Sequence, residues 1–217
     1  MNFKLFRIFP QIDTRTAFVS HIVKNGSLLD IGSSEGLTLG KLHDFRPDLK
    51  LFATDIEGKP ENYPDNCTFS RCDIQKDKLP IPDETIDGIT CMQLIEHISE
   101  FDNLIREAHR LLKTGSRIYF ETPHPKSLTM SSPKRKMLGK FTLNFYDDPT
   151  HIQPVILGRF AQLLKTNGFK IIKKGIARNW IACLAYPLYL FLPPSRKKYI
   201  SYTNFIGWSV FLIVEKI

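Results

Sequence analysis

The chain is 217 residues long, enough for one well-packed α/β domain and too short for two, and its apolar (42%) and charged (24%) fractions place it among ordinary globular proteins. Thirty Lys and Arg against 22 Asp and Glu leave a net charge of +8, which favours anionic partners such as nucleotide sugars, nucleic acid or acidic lipid without choosing among them. Cys67, Cys72, Cys91 and Cys183 have no metal-ligand spacing and read as reduced thiols of a cytosolic protein, and the opening MNFKLFRIFP lacks the apolar core and small-residue cleavage site of a secretory signal.

Ala17, Phe18, His21, Ile22 and Val23 predict a helix within 14–24, on which His21 reads as a surface residue rather than a ligand. Leu28, Leu29 and Ile31 then form a short buried strand. Gly32, Ser33, Ser34 and Gly36 turn the chain, and Leu37, Leu39, Leu42 and Phe45 predict a helix running to about residue 46. Such a strand–turn–helix aims free backbone N–H groups at whatever lies above the strand end, a cradle for a nucleotide-like ligand. A second strand over 49–54 ends in Asp55, nineteen residues beyond Gly36, where α/β nucleotide folds place a carboxylate against ribose hydroxyls. The alternative for Asp55 is a turn or cap before Gly58.

A third strand over 67–72 leads to Asp73 and Ile74, and a Pro-rich break at 79–83 precedes a fourth over 85–92. After it come Gln93, Glu96 and His97, a helix over 101–113 and a fifth strand over 117–121. The stretch 123–154 is too long for a plain connection and reads as a lid or substrate loop, with a basic run at 133–140 that could meet an anionic substrate or stay a solvated face. A helix starting near Pro154 and closing at about residue 168, a sixth strand over 169–175 and an alternating seventh over 209–215 complete the pattern, giving one domain over 1–217. Within it, 177–205 is an apolar-basic insertion. Its stretch WIACLAYPLYLFLPP-SRKK is too short to span a bilayer and contains Pro187. Two readings remain for it: a flap over the acceptor pocket, or, favoured because aromatics adjoin Lys197 and Lys198, an interfacial patch at 180–198 meeting anionic lipid.

The turn distinguishes two nucleotide folds. A dinucleotide fingerprint starting at Gly32 would need glycine where Ser34 and Leu37 stand. The series Asp30, Gly32, Ser34, Gly36 keeps three of the four marked positions of D-x-G-x-G-x-G and resembles motif I of the class I methyltransferases, which bind S-adenosylmethionine. That cofactor carries an ammonium and a sulfonium and no phosphate, so an acid at the strand end suits it. The QLIEHI segment after strand four and the REAHRLLKTG helix end resemble the small-molecule, type 11-like branch of the family, closely over about residues 20–125. The resemblance implies a Rossmann-like doubly wound α/β sheet of seven strands in the order 3-2-1-4-5-7-6 with strand 7 antiparallel. It also implies a cofactor site of Asp30, Gly32, Ser34, Gly36, Asp55, Ile56, Asp73, Ile74 and Gln93, in which Asp73 takes the adenine amine and its apolar neighbour packs on the ring. The product would be S-adenosylhomocysteine.

Methyl transfer is an in-line displacement, so the protein aligns the acceptor and excludes water, and an alcohol acceptor also needs a base. His124 in TPHP directly after strand five and His151 in DDPTHIQP are the candidates, with His151 ranked first and Tyr146 and Asp148 as its neighbours. D-P-T-H-x-x-P resembles a feature of enzymes that methylate sugars or lipid-linked saccharides, so O-methylation of a small-molecule or lipid-linked acceptor is the expectation. The alternative for His151 is a cap or brace for the lid. Metal-assisted relatives carry E-x-x-E-H after strand four; here Gln93 replaces the first carboxylate, and no metal is expected. Two rivals stay open: a catalytically silent binding module, with Ser34 its first lost residue, and a nucleic-acid methyltransferase, made unlikely by the absence of N-P-P-Y or Pro-Cys after strand four. A cytoplasmic location, with membrane association through 180–198, goes with the first reading.

Overall fold

The computed structural model describes residues 6, 8–132 and 142–217; the basic run at 133–140 lies outside the described residues. Seven strands form one sheet: β1 (Ser27–Ile31), β2 (Lys50–Asp55), β3 (Cys67–Arg71), β4 (Ile86–Met92), β5 (Leu112–Pro123), β6 (Phe169–Ile176) and β7 (Ser209–Lys216), ordered β3-β2-β1-β4-β5-β7-β6. β1 to β5 are mutually parallel and β7 runs antiparallel to both β5 and β6, as expected from the resemblance. Successive crossovers proceed outward from β1 in one direction and from β4 in the other, so the two carboxyl ends diverge and leave a crevice there.

Both faces are covered, which is why β1 and β4 are buried along almost their whole length rather than at alternate residues. Leu29, Ile31, Ile89, Ile118 and Phe120 pack against α3 (Asp102–Leu111) and α4 (Leu157–Thr166) through Leu104, Ala108, Phe160 and Leu164. Leu28, Leu51, Tyr119 and Phe211 face the other way, onto α1 (Thr14–Val19) and α2 (Leu37–Phe45) through Phe18, Val19, Leu39 and Phe45.

Several boundaries differ from expectation. α4 begins at Leu157, not Pro154, because the N–H groups of Ile152 and Gln153 both bond to the Glu96 carbonyl and hold that stretch extended. α3 stops at Leu111 and β5 begins at once, with Gly115 at φ 80 bending the strand's outer end. The apolar stretch around Pro187 is not broken: it forms α5 (Trp180–Tyr189), paired with α6 (Arg196–Ile206). Pro187 lies in the last turn of α5, where it has no N–H to offer the Cys183 carbonyl four residues before it.

Candidate active site

The turn after β1 is held from three sides. Gly32 and Ser33 donate their N–H groups to the Thr54 carbonyl (2.9 and 3.1 Å), and the Tyr63 hydroxyl lies 2.8 Å from Ser33 Oγ and donates to the Ser34 carbonyl at 2.7 Å. Gly32 stands at φ 75 and Gly36 at φ 72, and a Cβ on Gly36 would lie 2.7 Å from the Asn62 carbonyl oxygen, so side chains are excluded by both conformation and space. Ser34 occupies the same left-handed region at φ 49, which is why glycine suits this position. Tyr63 gave no signal in the sequence; only tertiary packing brings it under the turn.

Asp55, ending β2, accepts from the Ser34 N–H (2.8 Å) and the Glu57 N–H (3.0 Å). Beside it a cavity of about 610 Å³ is lined by Ser34, Glu35, Leu37, Asp55, Gly58 and Asn62 among others, a volume within the usual range for small-ligand sites. Ile56, 60% exposed, offers an apolar surface next to it in sequence. A nucleoside fits this arrangement: side-chain-free turn, carboxylate at the strand end, open space and an exposed aliphatic neighbour.

The other expected contacts are placed differently. Asp30 is buried below the turn, accepting from Thr90 Oγ1 at 2.7 Å; burial, aided by Asp55, pushes its carboxyl up to about 7 against that hydrogen bond. Asp73 stands at the end of β3 with its carboxylate on the Gln75 N–H (3.0 Å) and on Lys76 (3.1 Å); the backbone bond leads in holding it below the usual range. Ile74 turns into the core rather than towards the cavity. Gln93, at φ 52, directs its amide to Glu121 (3.3 Å) and Ser209 (3.1 Å). That carboxylate is fully buried and takes a fork of two bonds from Arg15 (2.9 and 2.5 Å) and one from Tyr119 (2.7 Å). Burial alone would raise the Glu121 carboxyl, and Arg15 together with hydrogen bonds from Tyr119 and Ser209 more than offsets it, so the group stays below its ordinary value.

The histidines separate clearly. His124 caps a short 3-10 turn, its Nδ1 accepting from the Lys126 N–H at 3.0 Å, which leaves the proton of the neutral ring on Nε2. His151 instead comes against His97, ring centroids 4.6 Å apart, beside Glu96. Its Nδ1 lies 2.5 Å from the Phe145 carbonyl and its ring stacks on Phe145. Burial, then the neighbouring His151, holds the His97 imidazole below its ordinary value. Glu96 is completely buried in the short 3-10 turn Ile95–His97 that follows β4, accepts from Thr122 Oγ1 at 3.0 Å, and is pushed up to about 8 mainly by burial. Sequence spacing placed Glu96 and His97 together; their meeting with His151, over fifty residues away, was not legible there. Asp148 and Thr150 complete the rim, Thr150 Oγ1 donating to Asp148 at 2.6 Å. Tyr146 is 70% exposed and turned to solvent. The four cysteines are unbridged, Cys91 and Cys183 buried and Cys67 and Cys72 half-buried.

A sheet whose strand order reverses between the parallel strands β1 and β4, with a glycine-containing turn and a carboxylate at that crevice and an antiparallel β7 beside β5, has the Rossmann-like arrangement of the class I methyltransferases. The family model described as a methyltransferase domain matches residues 7–174, and the chain belongs to that family, whose cofactor is S-adenosylmethionine. It is 28% identical over 93 residues to the uncharacterized methyltransferase YcgJ of Bacillus subtilis, covering 42% of this chain and 34% of that protein. It is 29% identical over 87 residues to a ubiquinone biosynthesis O-methyltransferase of Pseudomonas syringae pv. tomato, covering 36% and 35%. The matches thus span about a third of the length of these curated relatives. An S-adenosylmethionine-dependent methyltransferase structure from Archaeoglobus fulgidus superposes with a TM-score of 0.62 at 19% identity over 99% of this chain and 95% of that one, a likeness of fold.

Proposed function

We propose that the chain is an S-adenosylmethionine-dependent methyltransferase acting on an oxygen of a small or lipid-linked, saccharide-like acceptor. The observation that carries this reading is the meeting of His151 with Glu96 and His97 at the carboxyl ends of β4 and β5, on the crevice side of the sheet where the cofactor cradle also opens. Asp55 would hold the ribose hydroxyls, Ile56 the adenine face, and the Gly32–Gly36 turn the methionine end. Bound there, the cofactor supplies a methyl carbon on sulfonium. His151, whose Nδ1 is committed to the Phe145 carbonyl, keeps Nε2 free to accept the acceptor's hydroxyl proton. The Pseudomonas syringae relative, an O-methyltransferase by name, supports oxygen as the acceptor atom. Segment 123–154 acts as the substrate loop in this reading.

Membrane docking is a second part of it, supported by α5 and the turn after it: Leu184, Leu188 and Phe191 are 76%, 71% and 89% exposed, beside Arg196 and Lys197. The hairpin is also tied to the substrate loop, Tyr199 donating to the Thr142 carbonyl (2.5 Å) and Trp208 to the Leu143 carbonyl (2.8 Å). Among the described residues no helix is long and apolar enough to cross a membrane, so the mode would be peripheral. Isothermal titration with S-adenosylmethionine and its demethylated product, alongside Asp55→Ala, tests the enzyme reading. Binding weakened at least tenfold by Asp55→Ala supports it; no heat from either ligand overturns it in favour of a silent binding module.

A further inference from the structure

Glu96, His97 and His151 come together with one potential ligand atom from each within 4.8 Å of the others. Glu96 Oε2 is satisfied by Thr122, but Oε1 is buried with no hydrogen-bond partner. His151 Nδ1 faces a carbonyl, which only accepts, so Nδ1 carries the hydrogen and Nε2 is a bare lone pair. His97 is fixed in the same way. Its Nδ1 lies 3.2 Å from the Thr150 carbonyl and 2.9 Å from Thr150 Oγ1, whose own hydrogen is spent on Asp148, so both oxygens accept from Nδ1–H and Nε2 is again bare.

Backbone bonds make this convergence rigid. Ile152 and Gln153 donate to the Glu96 carbonyl (2.8 and 3.3 Å), and the Gln153 amide donates to the carbonyls of Ile98 and Ser99 (3.1 and 2.9 Å). Potential ligand atoms gathered within 4.8 Å, one residue among them a buried carboxyl with an unpartnered oxygen, are matched by a proton or a cation held between them, and only a cation can meet all three at once. Imidazoles whose far nitrogen is held by a backbone carbonyl are the arrangement in which metal-ligating histidines are oriented.

We propose that Glu96, His97 and His151 bind one borderline divalent cation such as Zn²⁺, with a coordination position left for water or an acceptor oxygen. Two imidazoles and one carboxylate suit such an ion better than Mg²⁺, which prefers an oxygen shell. The set differs from an E-x-x-E-H site: Gln93 takes no part, its amide being held by Glu121 and Ser209, and the third ligand comes from the substrate loop. Ion binding stands on the three side chains alone. Its use in catalysis rests on the acceptor reading above, and there it changes one assignment: the ion acidifies the acceptor hydroxyl, His151 is a ligand instead of the base, and the proton leaves to solvent.

The test is titration of chelator-treated full-length protein with Zn²⁺, Co²⁺ and Mg²⁺, read by calorimetry and by the visible absorption of bound Co²⁺. One equivalent of Zn²⁺ is expected, with Co²⁺ giving a low-symmetry spectrum and Mg²⁺ binding at least a hundredfold more weakly. His97→Ala, His151→Ala and the near-isosteric Glu96→Gln should each weaken Zn²⁺ at least tenfold, while His21→Ala, on the exposed side of the molecule, should not; melting without metal confirms that each variant folds. Binding indifferent to these three variants, no stoichiometric binding, or equal preference for Mg²⁺ overturns the proposal. Zn²⁺ binding without S-adenosylmethionine binding would leave this site standing and defeat the methyltransferase reading, and the reverse result would do the opposite.

Discussion

Ser34 sits in the left-handed region at φ 49, where a side chain costs about 1–2 kcal/mol, and only its small size keeps that cost at the low end. Ser34→Val adds a β-branched side chain at the same φ and should lower the melting temperature by about 3–6 °C for a chain of this size, whereas Ser34→Gly should not lower it; thermal denaturation of the pair decides it. Asp30 gives a pH prediction. Its folded carboxyl titrates at about 7 and its unfolded one at the ordinary 3.8, because burial disfavours the ion. Between those values the folded chain holds a proton that the unfolded chain has lost, so this group's contribution to stability falls as pH rises from about 4 to 7. Asp30→Asn should flatten the pH dependence of the denaturation midpoint over that window; an unchanged slope would mean that Asp30 is ionised in the folded protein.

Arg15 connects α1 to β5 through Glu121, and the fork is half of a network that also engages Tyr119 and Gln93. Removing Arg15 leaves a buried carboxylate unpaired. With the Arg15 side chain 39% exposed, water can partly replace it, and Arg15→Ala should cost about 2–3 kcal/mol, below the loss for a fully buried pair. Adding Glu121→Gln to Arg15→Ala should recover most of that loss, because the amide needs no counter-charge; a double-mutant cycle in denaturant measures it. At the scale of α5 and α6 the prediction concerns the surface. Leu188→Ser with Phe191→Ser, both more than two-thirds exposed, should leave folding intact and abolish flotation with anionic liposomes. Reversing Arg196 and Lys197 to Glu should do the same. Lys198 is left alone because its ammonium holds the Leu190 and Leu192 carbonyls (3.2 and 2.9 Å) at the turn between the helices. If the wild-type chain does not float, the hairpin covers something other than lipid.

Across the whole molecule, what the sequence determined is what local pattern encodes. Apolar runs of strand length, glycine at positions of positive φ and helical spacing of leucines are fixed by backbone sterics and burial, so the strands, the turn after β1 and Asp55 at the end of β2 were legible, while the strand order followed only from the family resemblance that turn carries. The family was legible as well. Where long-range packing competes with local preference, only the tertiary structure decided: Pro187 sits inside a helix that packs on α6, and the stretch after His151 is not helical because the Glu96 carbonyl claims its N–H groups. The same reason separates the site residues. Ser34 and Asp55 lie on one local unit and its neighbour and meet as expected, while Asp30 and Ile74 are drawn into the interior and Gln93 towards Glu121, since side-chain direction depends on what the rest of the chain brings alongside. His151 could be singled out by its motif. Its encounter with Glu96 and His97 could not, because contact between residues fifty positions apart is a property of packing and leaves no period or spacing to read.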